Sequence, residues 1–255
     1  MTQRNRSNHK ITSPRNLTKI FSIEFLDTAA VIHYSMDEYL GQCFAELYEE
    51  DGLLVLARGL GLNRLISKFI ELYSVAEQTE DSAASSSSAS LQRKLVFCIN
   101  ARESSELLQM SLLSNGLSPS QLPVLVTNET PAATRKIMYA NGGCFIITSR
   151  ILIVDLLRDN VDPSKICGFL VCNAHDVSEV SVEAFVLNIF RARNRQGFIK
   201  AFSDQPETLV NEYGKLERTL RTLFVKNLYL YPRFHVRVVH ALEGRTLVVP
   251  GQVSY

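Results

Sequence analysis

The chain has 255 residues, of which 46% are hydrophobic and 21% are charged, a composition that is ordinary for a globular protein with a large core. No apolar run approaches the roughly 18 residues of a membrane span, and no apolar stretch of the signal-peptide kind follows the polar N-terminus, so we expect an intracellular protein without membrane contact. The formal net charge of +1 does not by itself indicate a nucleic-acid partner, which must come from local clustering of basic residues.

The first 18 residues are polar and patternless, and we expect a disordered leader whose basic residues resemble a weak nuclear address. Apolar residues from Met36 to Glu49 recur at helical spacing. An apolar run at 53–57 is predicted as a strand, and a second helix is predicted from Asn63 to Tyr73. A strand, a glycine turn and a helix in this order are typical of the opening unit of an α/β domain.

Residues 76–91 are rich in serine and acidic residues, which predicts a flexible loop inserted into the domain rather than a domain boundary. The alternation of strand and helix then resumes in the same style. Further strands are predicted at 95–99, 123–126, 144–148, 167–172 and 197–202, and helices at 102–114, 131–140, 150–159 and 178–193.

The six predicted strands are continuously apolar, as expected when helices cover both faces of a parallel sheet. We therefore predict an α/β domain over residues 19–205, either RecA-like or otherwise doubly wound. Residues 206–255 are predicted to begin a following region. It would contain one long helix over 207–227 and extended segments at 228–239 and 246–255. Because the sequence stops inside the last of these, we expect a partial chain.

The loop after the first strand is the place where a RecA-like domain would bind nucleotide phosphates. A working loop needs glycines, a lysine for the phosphates and a hydroxyl for magnesium. Gly59 and Gly61 supply the glycines, but Leu62 stands at the position of the lysine and Asn63 at that of the hydroxyl. Two such glycines alone also fit a simple tight turn.

The second element of a helicase ATP site is an apolar strand that ends in Asp-Glu-Ala-His, whose carboxylates serve magnesium and the attacking water. Here the strand ends in Cys172, Asn173, Ala174 and His175. The Ala-His half is present and both carboxylates are missing. His175 alone fits a structural residue at a strand end, but beside the altered glycine loop it indicates a degenerate nucleotide site.

Several blocks of the sequence resemble the XPF family of structure-specific DNA repair endonucleases. The most distinctive is GGCFIITSRILIVDLL at 142–157. The glycine loop ARGLG, the Ala174-His175 pair and the segments 183–204 and 216–236 resemble the same family and occur in family order. The leader and the Ser-rich loop depart from the family pattern.

The resemblance implies a RecA-like domain of the superfamily 2 helicase type, with degenerate ATP motifs, in a nuclear protein of nucleotide excision repair and interstrand crosslink repair. It also implies contact with DNA at double-strand/single-strand junctions, a non-catalytic partner subunit and repair scaffold proteins. The family's nuclease centre has a Glu-Arg-Lys signature, uses Mg or Mn and lies C-terminal to this part. The nearest match here, Glu217-Arg218, lies in a predicted helix without partner aspartates. We therefore expect no catalytic residue and no cofactor in this chain.

The chain also shows little sign of a metal centre. Its five cysteines form no CxxC pair, and its five histidines show no ligand spacing with cysteine or aspartate. Buried cysteines in a reducing compartment explain the pattern better.

Basic residues cluster late in the sequence. Between Phe185 and His240 there are ten basic and four acidic residues, an excess of six. Such a surface would give salt-dependent affinity for DNA phosphates, although a solvated helix face explains it equally simply. The candidate DNA-binding residues are Arg191, Arg193, Arg195, Lys200, Arg218 and Arg221.

Three functions remain open at this stage. The first is a non-catalytic, DNA-engaging and partner-docking part of a junction endonuclease. The second is a protein-interaction scaffold that does not touch DNA, which a DNA titration would separate from the first. The third is an active helicase-type ATPase, which the residues at positions 62, 172 and 173 disfavour.

Overall fold

In the computed structural model, residues 37–74 and 93–243 are described. The predicted leader, the Ser-rich loop at 76–91 and the predicted final strand at 246–255 lie outside these ranges. Within them the chain forms strands β1 (Gly52–Leu56), β2 (Leu95–Ile99), β3 (Val124–Val126), β4 (Gly143–Ile147), β5 (Ile166–Val171), β6 (Phe198–Ser203) and β7 (Asn227–Tyr231).

The helices of the described ranges alternate with these strands. They are α1 (Glu38–Glu49), α2 (Leu62–Ser74), α3 (Ser105–Ser114), α4 (Ala132–Ala140), α5 (Ser149–Leu157), α6 (Val182–Arg193), α7 (Pro206–Val210), α8 (Lys215–Thr222) and α9 (Val236–Glu243). Short 3-10 turns precede β3 and β5, and a third follows β5.

The seven strands form one sheet in the order β3-β4-β2-β5-β6-β1-β7, and every neighbouring pair is parallel. The strands are mostly apolar because successive side chains enter two different cores. Leu54 and Phe202 pack with α1, α2, α3 and α9, whereas Val55 and Phe169 pack with the remaining helices on the other face. The predicted parallel sheet with helices on both faces is therefore confirmed.

The predicted long helix over 207–227 is wrong. The structure has two short helices there, α7 and α8, and Gly214 immediately before α8 adopts a left-handed conformation with φ of 70°. This conformation interrupts the helical hydrogen-bonding pattern and is accessible to glycine at little cost. The leucines that recur at helical spacing do face the core, but Leu216 and Leu220 belong to α8, Leu223 to the turn after it and Leu228 to β7.

The segment 228–239, predicted to be extended, is extended only in part. β7 ends at Tyr231, and α9 begins at Val236, so tertiary packing overrides the strand preference of its valines. β7 pairs with β1 over five residues from Gly52↔Asn227 to Leu56↔Tyr231. The sheet therefore extends beyond residue 205, where we expected the domain to end.

A buried ion pair joins α4 to α5 on one face of the sheet. The carboxylate of Asp155, which is fully buried, accepts two hydrogen bonds of 2.7 Å from Arg135. Tyr139 and Asn160 donate to the same carboxylate at 2.9 and 2.8 Å. Burial opposes ionisation of Asp155, but the hydrogen bonds from Arg135, Asn160 and Tyr139 outweigh it and lower the pKa of this carboxyl group.

Replacing Asp155 by asparagine should lower the free energy of unfolding by about 3 kcal/mol at neutral pH, because it leaves a buried guanidinium without its counter-charge. The control is Asp159→Asn, which changes an exposed carboxylate whose partner is also exposed and should cost less than about 0.5 kcal/mol. Both values are measured by urea denaturation.

The cost of Asp155→Asn should also depend on pH. Because the folded-state pKa is lowered, ionised Asp155 stabilises the protein above its unfolded pKa of about 3.9, and this contribution is lost as pH falls through the folded value. The difference between the two proteins should therefore shrink between about pH 5 and pH 2. A difference that stays constant over that interval would show that ionised Asp155 does not stabilise the fold.

Candidate functional site

The two degenerate motifs lie at the same edge of the sheet. The glycine loop follows β1 and the Cys-Asn-Ala-His segment follows β5, and β6 lies between these two strands. Because all strands are parallel, both segments reach the carboxyl edge, where open α/β sheets bind their ligands. The structure therefore brings together the two segments that the sequence analysis assigned to one site.

The glycine loop is held by contacts to α1. Gly59 and Gly61 have φ of 83° and 86°, and between them the side chain of Leu60 is only 5% exposed. The hydroxyl of Tyr39 donates a 2.8 Å hydrogen bond to the carbonyl of Leu60. A Cβ atom at Gly61 would lie 3.1 Å from Leu40 of the same helix. The loop is thus fixed by the protein's own side chains.

The two residues after the glycines start α2 without the groups that ATP chemistry needs. Leu62 is half-buried and packs against the core, and Asn63 is also half-buried. A leucine supplies no positive charge for phosphate oxygens, and an asparagine supplies no hydroxyl for magnesium. The turn and the start of the helix are present, with a leucine and an asparagine in place of the lysine and the hydroxyl residue.

The second motif turns its first two side chains toward the strand β2. The Sγ atom of Cys172 lies 3.7 Å from that of Cys98, and both residues are buried. The hydrogen bond to Cys172, together with burial, raises the pKa of the Cys98 thiol. Asn173 adopts a left-handed conformation with φ of 47° and donates from Nδ2 to the carbonyl of Asn100 at 3.0 Å. These positions contribute a thiol and an amide that bind other protein groups.

The retained half of this motif joins two strand ends. His175 is 4% exposed, and its Nδ1 lies 3.0 Å from the Oγ of Ser203, a fully buried residue at the end of β6. Ala174 is fully buried beside it. Sequence reasoning missed Ser203, although a hydroxyl directly after a predicted strand of a parallel sheet was a usable signal. The His175–Ser203 contact fixes β5 and β6 relative to each other.

The described residues 37–74 and 93–243 contain no group of three histidine, cysteine or acidic side chains placed to hold a metal ion. The absence of a cofactor from this chain stays a prediction. Over the same ranges, no helix has both the length and the apolar character needed to cross a bilayer.

Lys200 must be removed from the candidate DNA-binding residues. It is 2% exposed, and its ammonium group donates to the carbonyl of Leu47, to that of Tyr48 at 3.4 Å and to Asp51 at 3.4 Å. Burial lowers the pKa of Lys200, an effect that the charge and hydrogen bond of Asp51 oppose. This lysine caps the end of α1 and is inaccessible to DNA.

Arg191 is also committed to the fold. Its guanidinium donates to the carbonyls of Arg195 and Gly197 and lies 3.6 Å from the carboxylate of Asp51. Its side chain is 15% exposed and stacks over the ring of Phe190. Arg191 therefore braces the turn before β6 and offers little surface to a ligand.

The other four candidates are exposed. Arg193 pairs with Asp159 at 3.7 Å, and on α8 Arg218 and Arg221 pair with glutamates at 3.1 and 2.7 Å. Such surface pairs contribute little and are readily exchanged for another anion. Arg193 ends α6 and Arg195 follows it, and this helix starts near the carboxyl edge of the sheet and ends at the amino edge. They are therefore separated from the two degenerate motifs by the length of the sheet.

No family model matches the sequence. Among curated proteins, the chain is similar to the DNA repair endonuclease UVH1 of Arabidopsis thaliana, with 35% identity over 81% of this chain. It is 39% identical to the DNA repair endonuclease XPF of Mus musculus over 81% of this chain, and 34% identical to the DNA repair protein RAD1 of Saccharomyces cerevisiae over 78% of it. The chain spans about a fifth of the length of these relatives, or 20%, 21% and 19% respectively.

Two solved structures show a similar fold at low sequence identity. The helicase domain of Hef from Pyrococcus furiosus superposes with a TM-score of 0.64 at 15% identity, covering 81% of this chain and 40% of that one. Dbp5 of Saccharomyces cerevisiae gives a TM-score of 0.54 at 10% identity, covering 82% and 52%. With the seven-stranded parallel sheet, these likenesses confirm the predicted RecA-like α/β fold.

The assignment of Lys200 to the core predicts a loss of stability when its charge is removed. Lys200→Met keeps the length of the side chain but leaves two backbone carbonyls and Asp51 without their donor, so it should lower the free energy of unfolding by about 2 kcal/mol. Lys226→Met, at an exposed position before β7, should change it by less than about 0.5 kcal/mol. Equal effects in chemical denaturation would contradict the capping role.

Proposed function

Since this chain belongs, over about four fifths of its residues, to the XPF-type DNA repair endonucleases, we propose that it is a non-catalytic, helicase-like part of such an enzyme. Its role is to engage DNA at double-strand/single-strand junctions and to dock protein partners in the nucleus. It does so without binding or hydrolysing ATP. Because it spans about a fifth of its relatives, the incision activity of a whole enzyme is not assigned to these residues.

The observation that carries this proposal is that the side chains of both motifs at the carboxyl edge of the sheet contact other parts of the protein. The glycine loop after β1 and the Cys-Asn-Ala-His segment after β5 occupy the positions of the two halves of an ATP site. Leu60 is buried under α1, Cys172 contacts Cys98, and His175 contacts Ser203. A site for nucleotide needs groups that point outward to phosphates and magnesium. The fold thus serves as a scaffold for its outer surfaces.

DNA engagement rests on the exposed basic residues that the structure leaves available. Arg193 and Arg195 lie at one edge of the sheet, and Arg218 and Arg221 lie on α8, close to Lys226 in sequence. Contacts from such residues to phosphates give affinity that does not depend on base sequence and that falls with added salt.

Docking of protein partners, such as a non-catalytic subunit or repair scaffold proteins, is supported by exposed apolar side chains. Leu107 and Met110 on α3 are 58% and 67% exposed, and Phe234 beyond β7 is 83% exposed. A magnesium- or manganese-dependent nuclease centre would be supplied by another part of the enzyme. If the chain binds no DNA at all, these surfaces favour the alternative function of a pure interaction scaffold.

The purified chain should neither bind nor hydrolyse ATP in the presence of magnesium. Restoring Leu62→Lys alone should not produce turnover, because the magnesium and water ligands at positions 63, 172 and 173 remain absent. The measurement is release of inorganic phosphate with and without magnesium. Magnesium-dependent hydrolysis above background that disappears in Gly61→Val would overturn the proposal.

DNA binding by the chain alone should be weak, with Kd roughly 10⁻⁴ to 10⁻⁶ M near physiological salt, and should fall steeply as salt rises. Arg193→Glu with Arg195→Glu should weaken binding to all sequences alike. The matched control, Lys136→Glu with Arg237→Glu, makes the same change of net charge at exposed positions elsewhere and should have a smaller effect. Fluorescence anisotropy with a splayed-arm duplex measures both. Affinity that ignores salt, or that both double variants reduce equally, would contradict this assignment.

A further inference from the structure

The chain between α3 and β3 presents a short exposed segment at residues 118–120. Ser118, Pro119 and Ser120 are exposed, whereas Leu117 and Leu122 are partly buried against the core. Ahead of them the chain is also open, because a Cβ atom on the glycine at position 116 would meet no neighbour within 4 Å. The segment is therefore an arc that is anchored on both sides and open to solvent between them.

The contacts that hold this segment are mostly local. The N–H of Gln121 donates to the carbonyl of Ser118 at 2.9 Å, which closes the 3-10 turn before β3. The hydroxyl of Ser118 donates to the side-chain oxygen of Gln121 at 2.9 Å and lies 3.0 Å from the hydroxyl of Ser120. From a distant part of the chain, Arg93 donates to the carbonyl of Ser120 at 3.2 Å. Exposed contacts of this kind open at a small cost in free energy, so the segment can enter the cleft of another protein.

Ser118 already has the backbone conformation of an extended chain. Its φ of −69° and ψ of 150° lie in the extended region, which a following proline favours. Pro119 has a fixed φ and presents an apolar ring in place of an N–H group. A serine hydroxyl followed by proline, in an exposed and extended chain, is what proline-directed protein kinases recognise.

A second dipeptide of the same kind lies in a different environment. Three of the eight prolines in the sequence follow a serine or a threonine, and two of these pairs, at 118–119 and 130–131, lie in the described ranges. Thr130 is half-buried, and its carbonyl accepts from Arg135, whose guanidinium also binds buried Asp155. Entry of Thr130 into a kinase would require this contact to open. The two sites therefore differ in accessibility although their dipeptides are alike.

The position of Ser118 gives its modification a structural consequence. The segment connects Leu113, in the last turn of α3, to Val124, at the start of β3, and both side chains are exposed. A phosphoserine carries about −1.5 to −2 charges at neutral pH. A charge of this size between two exposed apolar groups disfavours contact with an apolar partner surface, because burying it without a counter-charge is costly.

We propose that Ser118 is a phosphorylation site for a proline-directed protein kinase. The Oγ atom of Ser118 attacks the γ-phosphorus of ATP held by the kinase, the bond to the oxygen that bridges the β- and γ-phosphates breaks, and ADP leaves. The hydroxyl proton passes to a base of the kinase. This modification requires neither DNA binding nor nucleotide binding by the chain, so it can fail while the proposed function stands.

The test uses the unphosphorylated full chain with Ser13→Ala, because Ser13 also precedes a proline and lies outside the described residues. The chain is incubated with Mg·ATP and an active mitogen-activated protein kinase, and the modified residues are located by tandem mass spectrometry. Ser118 should gain a phosphoryl group at least about tenfold faster than Thr130, which must first be released from Arg135. Synthetic peptides that cover 112–124 and 124–136 should differ much less, because peptides of this length are unfolded.

Three variants show which residues the kinase recognises. Ser118→Ala should abolish this modification and Pro119→Ala should nearly abolish it, whereas Ser120→Ala, a change at the neighbouring exposed hydroxyl, should leave its rate unchanged. All three should keep the thermal midpoint of the parent chain, because the segment is exposed. A folded chain that stays unmodified by a kinase that modifies the peptide would overturn the proposal. Equal rates at Ser118 and Thr130, phosphate on Ser120 instead, or full modification of Pro119→Ala would also overturn it.

Discussion

The buried ammonium group of Lys200 is the contact on which much of this structure depends. It lies in the interior strand β6 and donates to carbonyls in the last turn of α1 and to Asp51, the residue immediately before β1. Asp51 in turn accepts from the N–H of Ile199 at 2.8 Å and lies 3.6 Å from Arg191. A charge at this depth persists only when its counter-charge and acceptors are in place. The position of α1 over the sheet is therefore fixed by a residue that looks like surface charge in the sequence.

The placement of α1 has consequences at the other edge of the sheet. The same helix carries Tyr39 and Leu40, which hold the glycine loop by a hydrogen bond and by packing. In the segment after β5, Cys172 contacts Cys98 and His175 contacts Ser203. The protein supplies internal partners where an ATPase would hold a nucleotide and magnesium. On the proposed function, the RecA-like fold is retained for its shape and its outer surfaces without nucleotide chemistry.

Most of the strands could be predicted from the sequence, because parallel strands that are covered by helices on both faces form continuous apolar runs. The strand at 95–99 was placed to the residue, and the other predicted strands within one or two residues. The two degenerate motifs were assigned to one site because they match the two elements of a helicase ATP site, and the structure places both at the same edge of the sheet. The break at Gly214 was missed, because the helical spacing of Leu216, Leu220 and Leu223 was extended back across the glycine to Glu207. The burial of Lys200 was missed because a basic residue count ignores its neighbours, Ile199 and Ala201, which mark an interior strand. The contact of Ser203 with His175 depends on a distant segment, which local patterns do not reveal.

The central claim is that internal contacts have replaced nucleotide binding at the carboxyl edge. Hydrogen–deuterium exchange of the chain with and without saturating Mg·ATP tests it most directly, read on peptides that cover residues 57–63 and 172–176. The account predicts unchanged exchange in both segments, because their loops are already held by α1, Cys98 and Ser203. Strong protection of both segments by Mg·ATP, absent when magnesium is withheld, would contradict it.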